Sequence, residues 1–392
     1  MTEISILYDR SETDELGIRL TAEEMGISLG YIPFHRVAVS IGNGGIRLFS
    51  AGKDYSRELA ETRVVLNRTQ SKSRRIYAAS ILEAAGKQVL NPPSIELACA
   101  SKVRSLAVLQ AAGVRIPETV YVPSNVREAT PGGGEFNCSE DIADLIGAQI
   151  GGPVVLKPDC GTHGRGVLLA GDRGSLLAAL GEIAPSVVNP SGVVAQELVP
   201  KWFYDLRIIV SKERRRPFHC APTAMARGSI VDFRTNARLG NMVFRVTLPE
   251  AVRREAARCG EALAQSAEAG VIALDAMPYF EGLQGDDAEL RALFASLGTP
   301  FGEVQRAKAA PDKKTRFREY TAKVEEAYVV YMASEPYTAI QRVIQESLEG
   351  NASRVVFHEG NSCPEFWEQT RIAGGVNVGE LLLRSALSLL DH

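Results

Sequence analysis

The sequence predicts an α/β fold built from more than one domain. The chain has 392 residues, enough for two or three hydrophobic cores. Short β-branched runs alternate with Ala-rich helical runs over the first hundred residues. Further β-branched runs return after a Pro- and Gly-rich break and again near the C-terminal end.

Ile4 to Leu7, Val37 to Val39 and Arg63 to Leu66 read as the first strands. SKSRRIYAASILEAA, Ser71 to Ala85, reads as a helix stopped by Gly86. Two prolines then break the chain, and Lys102 opens a helix closed by Gly113. Segment 123–137 reads as a loop, followed by two strands, VVLKP and GVLLA, joined by a turn with glycines at 161, 164 and 166. GVVAQELV, YDLRIIV and VIALDAM are further strands, with a helix from about Pro249 to Ala267 before the last of them. Residues 283–350 interrupt this order as a partly helical, charged insertion. RVVFHEGN is the last strand, and Val378 to Leu390 a closing helix.

Composition excludes several classes. With 45% apolar and 23% charged residues and a formal charge of -3, the chain has no global field for nucleic acid or anionic lipid. No apolar run approaches membrane-spanning length and the first residues carry no leader pattern, so a cytoplasmic protein is expected. The six cysteines are scattered without a CxxC pair and read as reduced thiols, with no zinc pattern among them and the five histidines. The GxSxG elbow of serine hydrolases, the kinase motifs and the Rossmann fingerprint of a dinucleotide oxidoreductase are all missing.

What remains points to phosphate and to oxygen-bound cations. In Asp159-Cys-Gly161-Thr162-His163-Gly164-Arg165-Gly166, three glycines let backbone N–H groups approach an anion, although a plain glycine-rich hairpin has the same composition. Lys157 ends a buried run, where an ammonium needs an anionic partner or an exposed strand end. Asp275, Glu359 and Asn361 each end or nearly end an apolar strand. They offer the oxygen ligands Mg²⁺ prefers, and Glu359 and Asn361 share one face of an extended segment. Asp205 and Arg207 alternate on another strand, while Lys102, Arg227, Asn236 and Arg238 add donors suited to a triphosphate and a carboxylate substrate. Each arginine could equally serve a surface ion pair.

The order of these pieces resembles ATP-grasp ligases of the RimK/LysX group. They are NRTQSKSRRIYAASILEAAGKQVLN, SKVRSLAVLQAAGVRIPET, GGPVVLKPDCGTHGRGV, AQELVPKWFYDLRIIV, RTNARLGN, VIALD, and HEGNSCPEFW with GGVNV. The resemblance implies an ATP-grasp fold: an N-terminal α/β domain over 1–100, a central lobe over 101–190 and a C-terminal lobe over 191–392, with ATP between the two lobes. It implies that Lys102, Lys157, Asp205, Arg207 and the loop Gly161–Gly166 handle ATP, and that Gln196, Glu197, Leu198 and Val199 form an adenine-facing hinge. Asp275, Glu359 and Asn361 then fall on the family's Mg²⁺ ligands, two ions being expected and Mn²⁺ an accepted substitute. Arg227 and Asn236 fall where phosphate and acyl substrate are handled.

The implied reaction joins a carboxylate to an amino acid amine, glutamate being the expected amino acid, through an acyl phosphate. A pterin-like cofactor or a carrier peptide is the expected acceptor. A homo-oligomer is a family expectation, and a nucleic-acid-bound acceptor is disfavoured by the near-neutral charge. Two departures stand out. GTHGRG replaces GSWGRG, and Asp275 and Glu359 are 84 positions apart because of the insertion. The competing reading is an ATP-binding protein whose chemistry has lapsed and whose insertion mediates assembly.

Overall fold

The structure is a computed structural model that describes residues 3–390, except 10–11, 51, 124–138, 162–163, 184–191, 235–240, 282–287 and 312. The chain opens with β1 (Ile4–Tyr8), α1 (Thr13–Glu24) and β2 (Leu29–Pro33). A small antiparallel sheet of β3 (Ala38–Gly42), β4 (Gly45–Ser50) and β5 (Lys53–Asp54) follows. Next come α2 (Ser56–Glu61), β6 (Val64–Arg68), α3 (Lys72–Ala84) and β7 (Gln88–Leu90). β1, β2, β6 and β7 form a parallel sheet in the order β2-β1-β6-β7. β1 and β6 are its central strands and are buried almost throughout, as parallel strands covered on both faces require.

Local chemistry sets the helix ends. The Ser71 hydroxyl accepts from the Arg74 N–H to cap α3, and Gly86 takes φ +75° just past its end. Pro93 opens α4 (Pro93–Ala100), and Ser101 caps α5 (Lys102–Ala111) by accepting from the Arg104 N–H at 3.1 Å. The sequence places the α3 and α5 boundaries to within a residue or two.

The second sheet, in the order β10-β9-β11-β8, contains β8 (Thr119–Val122), β9 (Val154–Pro158), β10 (Leu168–Ala170) and β11 (Val193–Glu197). It is backed by α6 (Ser139–Ile150) and α7 (Arg173–Ile183). β9 and β10 are the antiparallel pair expected around the glycine turn. The division expected at 190 falls just before β11, which pairs with both β9 and β8, so this sheet runs on to Glu197. Apart from Pro123, the expected loop 123–137 lies outside the described residues.

The third sheet carries the chemistry. β12 (Tyr204–Lys212), β13 (His219–Cys220), β14 (Thr223–Gly228), β15 (Met242–Thr247), α8 (Glu250–Ala264) and β16 (Gly270–Pro278) precede the insertion. The insertion is three helices, α9 (Ala288–Lys308), α10 (Phe317–Ala333) and α11 (Glu335–Gly350), and β17 (Val355–Asn361) and α12 (Val378–Leu390) complete the chain. The main path of this sheet is β15-β14-β12-β16-β17, with β13 paired to β12.

The insertion packs on this sheet and closes its β15 edge. Gln341 donates to the Arg245 carbonyl at 2.7 Å, and Gln345 both accepts from the Thr247 N–H and donates to the Thr247 carbonyl. An open strand edge is thereby satisfied by side chains. Tyr337 stacks on Phe244 at 5.2 Å between centroids, and the Tyr331 hydroxyl donates to the Val243 carbonyl.

Three buried contacts tie the segment after β17 to the first sheet. The Asn91 amide donates to the carbonyls of Val271 and Ser362, and its oxygen accepts from the Val271 N–H. Asp14 accepts the N–H groups of Phe366 and Trp367. Arg68 pairs with Glu15 and donates to the Pro364 carbonyl. The indole of Trp367 lies so close on α1 that a Cβ at Gly17 would sit 2.1 Å from it. Both ends of the chain are therefore held together at the strand that bears Glu359 and Asn361.

Candidate active site

A ladder of charge crosses the third sheet. Asp205 on β12 is in register with Arg227 on β14, Arg207 on β12 with Asp275 on β16, and Asp275 with Glu359 on β17. The side chains follow the register. Arg227 grips Asp205 through two nitrogens at 2.8 and 2.7 Å, and Arg207 grips Asp275 through two at 2.9 Å each. The same Arg227 Nη2 that bonds Asp205 also lies 3.2 Å from Asp275 Oδ1. Burial alone would raise the Asp275 carboxyl, but the two guanidinium groups outweigh it and hold it well below the usual carboxylate range.

Glu359 stands between two ammonium groups from different helices, Lys72 at 3.8 Å and Lys102 at 3.9 Å from its Oε1. Burial works against its charge, and Lys102 and Lys72 overcome that to lower its pKa. The pairing of β16 and β17 shifts between Asp275 and Ala276: Ala276 faces Phe357 while Asp275 faces Glu359. His358 is the extra residue of this bulge, and it lines the same cleft as Glu359.

The cleft, about 310 Å³, lies between the second and third sheets and reaches the start of α3. Its lining holds nine lysines and arginines against five carboxylates. Gln196 to Val199 border one end. The Phe280 N–H bonded to the Pro200 carbonyl brings the end of β16 there too, so Met277 and Val199 give this end apolar walls.

Lys157, on β9, projects into the cleft and makes no hydrogen bond or ion pair among the described residues. Burial first, and then Lys102, push its pKa down to about 8, although Glu359 and Asp275 pull the other way. Lys201 is likewise lowered to about 8 by burial, with Asp205 opposing.

Several expected residues have local duties. Lys102 Nζ donates to the carbonyls of Asp159 and Gly161, so it holds the base of the glycine turn while standing beside Glu359. Gly164 and Gly166 take φ +70° and +67°, the left-handed region a side chain disfavours, and Arg165 is exposed at the cleft rim. The Gln196 amide donates to Thr119, and one oxygen of Glu197 accepts from the Glu118 N–H. The Glu197 and Leu198 N–H groups are bonded to the carbonyls of Glu118 and Pro153. The Glu197 carboxylate keeps acceptor capacity for a ligand beside this backbone contact. Thr162, His163, Asn236 and Arg238 lie outside the described residues.

The cleft adds Lys72, Lys201, Met225, Met277 and His358, which sequence reasoning missed. Met277 and Met225 were reachable, since each is two positions from a predicted site residue on the same strand face. Lys72 carried no signal beyond its place in the first turn of a helix.

Among the described residues no group of three His, Cys, Asp or Glu side chains could hold a metal. The donors present are the carboxylates of Asp275 and Glu359 and the amide oxygen of Asn361, which accepts only the Cys363 N–H at 3.1 Å. Among the described residues Asp275 Oδ2 accepts a single hydrogen bond, from Arg207, and keeps a lone pair. An all-oxygen set with few protein ligands fits Mg²⁺ completed by phosphate oxygens.

The RimK-like ATP-grasp domain model matches residues 99–279, the span that carries the glycine turn, the hinge and Asp275. The chain contains a RimK-like ATP-grasp domain. Its relatives include the α-aminoadipate–LysW ligase LysX of Sulfurisphaera tokodaii, 26% identical over 60% of this chain and 73% of the relative. The LysX of Sulfolobus acidocaldarius is 26% identical over 52% of this chain and 65% of its own length. Among solved structures, the VanG D-Ala:D-Ser ligase of Enterococcus faecalis superposes with a TM-score of 0.57 at 12% identity over 98% of each chain. The ATP-grasp ligase PsnB, complexed with a minimal precursor, does so at 0.56 and 12% over 100% of each. At that identity the likeness is one of fold: the α/β, multi-lobed architecture is that of ATP-grasp ligases. No helix among the described residues is long and apolar enough to cross a membrane.

Proposed function

We propose that this ATP-grasp protein is a carboxylate–amine ligase that binds ATP with Mg²⁺ and activates a substrate carboxylate as an acyl phosphate. The observation that carries this is Lys157, an ammonium with no counter-ion in contact among the described residues, facing a cleft whose described lining has four more basic than acidic side chains. A polyanion supplies what that lining lacks.

The base would lie at the hinge between Val199 and Met277, and the phosphates would run past Lys157 toward Glu359. Bound Mg²⁺ would neutralise charge on the transferring phosphoryl group, with Asp275, Glu359 and Asn361 as its protein ligands. Arg207, Arg227, Lys72 and Lys102 crowd the two carboxylates, so the ladder favours metal arriving with a polyphosphate over metal alone. An acceptor carboxylate then attacks the γ-phosphorus and ADP leaves. An amine attacks the acyl carbon, phosphate leaves, and an amide remains.

Glutamate is the amino acid this reading favours, and a carrier peptide or pterin-like cofactor the acceptor. The support is the basic lining together with a relative named for α-aminoadipate, which is glutamate lengthened by one methylene. The test is ADP release with ATP, Mg²⁺, a panel of amino acids headed by glutamate, and a panel of carboxylate acceptors. ADP and phosphate are expected only when acceptor and amine are both present. A panel that yields no acceptor-dependent ADP contradicts the ligase reading and leaves the lapsed ATP-binding protein.

A further inference from the structure

Lys72 belongs to the first sheet's helix α3, yet its ammonium ends in the cleft. It donates to the Ala100 carbonyl at 3.1 Å and lies 3.8 Å from Glu359 Oε1, the oxygen that Lys102 approaches from the other helix at 3.9 Å. One carboxylate between two ammonium groups leaves a net positive spot.

Its position along the cleft can be read from neighbours. On β16, Met277 is nearest the hinge, and Asp275 lies one same-face step further on. Glu359 stands opposite Asp275, and Asn361 opposite Ala273, further still. The charges acting on Lys157 include those of Lys102, Glu359, Asp275 and Lys201, whereas Lys72 is within ion-pair reach of Glu359 and responds chiefly to Glu359 and Lys102. Lys72 therefore stands beside Glu359, further along the cleft than the hinge end where Val199 and Met277 lie.

We propose that Lys72 is a catalytic residue that holds the phosphoryl group in transfer, touching the γ-phosphate of ATP and not the ADP portion. This rests on the nucleotide reading above. In the step itself, an acceptor carboxylate oxygen bonds to the γ-phosphorus. The bond from that phosphorus to the β–γ bridging oxygen breaks, and its electron pair stays on ADP. Lys72 keeps its protons and donates hydrogen bonds to the non-bridging oxygens, which carry the charge throughout. With Lys102 opposite, the phosphoryl group is gripped from two helices, one packed on the first sheet and one leading into the second.

The test is calorimetric titration of wild type, Lys72→Met and Lys72→Arg with ADP and with the β,γ-imido analogue of ATP, each with Mg²⁺. Lys72→Met is expected to bind ADP within about twofold of wild type and the analogue at least about tenfold more weakly, with Lys72→Arg recovering most of the difference. ADP binding by the variant also reports that it is folded. Equal weakening for both nucleotides, or no change for either, overturns the contact while leaving the nucleotide site standing. Wild type that binds neither nucleotide overturns the parent reading and this contact with it.

Discussion

Glu359→Gln is expected to lower ATP-dependent turnover by on the order of 10²- to 10³-fold while the protein keeps its fold, measured as acceptor-dependent ADP release beside a thermal unfolding scan. Glutamine preserves the shape of the side chain and removes the charge that pairs with Lys72 and Lys102. In the ligand-free protein that loss is modest, because Glu359 makes no hydrogen bond among the described residues and its two ion pairs are near 4 Å. With nucleotide and metal bound, the same change deletes one of two carboxylate ligands. Turnover within a few fold of wild type would show that Glu359 does not hold the metal.

Lys157→Met is expected to move two quantities in opposite directions. Affinity for an ATP analogue with Mg²⁺ should fall about ten- to a hundredfold at pH 7, the scale of a lost charge-assisted hydrogen bond. The unliganded protein should become no less stable, since the substitution removes a buried charge that has no partner among the described residues. The pH dependence follows from the sign of the shift. The folded pKa, about 8, lies below the 10.5 of an unperturbed lysine, so the unfolded chain binds more protons between these values. The penalty from this group is complete below pH 8 and fades as pH rises from 8 to 10.5. Wild type should therefore gain stability relative to the variant across that window, while its nucleotide affinity declines. Parallel unfolding midpoints from pH 7 to 10, or undiminished affinity in the variant, would contradict the assignment.

The sequence made legible those features that depend on near neighbours in the chain. Ser71 and Ser101 caps, the glycines after helices and the β-branched runs of β1, β6, β12 and β16 are local signals, and the structure forms these elements close to their expected bounds. β14 escaped notice because the stretch around Ala224 and Ala226 is rich in small residues with no strong β pattern, whereas β15, MVFRVT, carried a β-branched and aromatic pattern that was not singled out. The strand character of β14 comes from pairing with β12 and β15.

At the site, strand-end position suggested Asp275, Glu359 and Asn361 as one set of oxygen ligands, but it is strand register that brings Asp275 and Glu359 together across the insertion. By strict alternation along β17, His358 would face away from the side that Glu359 and Asn361 share. A one-residue bulge reverses this, and no residue type in HEGN announces a bulge. For Arg207 and Arg227 the sequence left ligand contact and an ion pair equally open, and the structure engages both with Asp205 and Asp275 as internal partners.

The insertion packs on the third sheet. Gln341, Gln345, Tyr331 and Tyr337 show it covering the β15 edge and the face beside it. Tyr320 and Thr321 reach the segment after β17 through Glu368 and the Trp367 indole, so the same helices brace the strand that carries Glu359.

The most direct measurement is a crystal structure with a non-hydrolysable ATP analogue and Mn²⁺, read by its anomalous signal. The account predicts a manganese peak between Asp275, Glu359 and Asn361 on one side and phosphate oxygens on the other, with the base at Gln196–Val199 and Lys157 on the phosphates. A nucleotide bound elsewhere, or manganese held by phosphates with none of those three side chains within bonding distance, would contradict it.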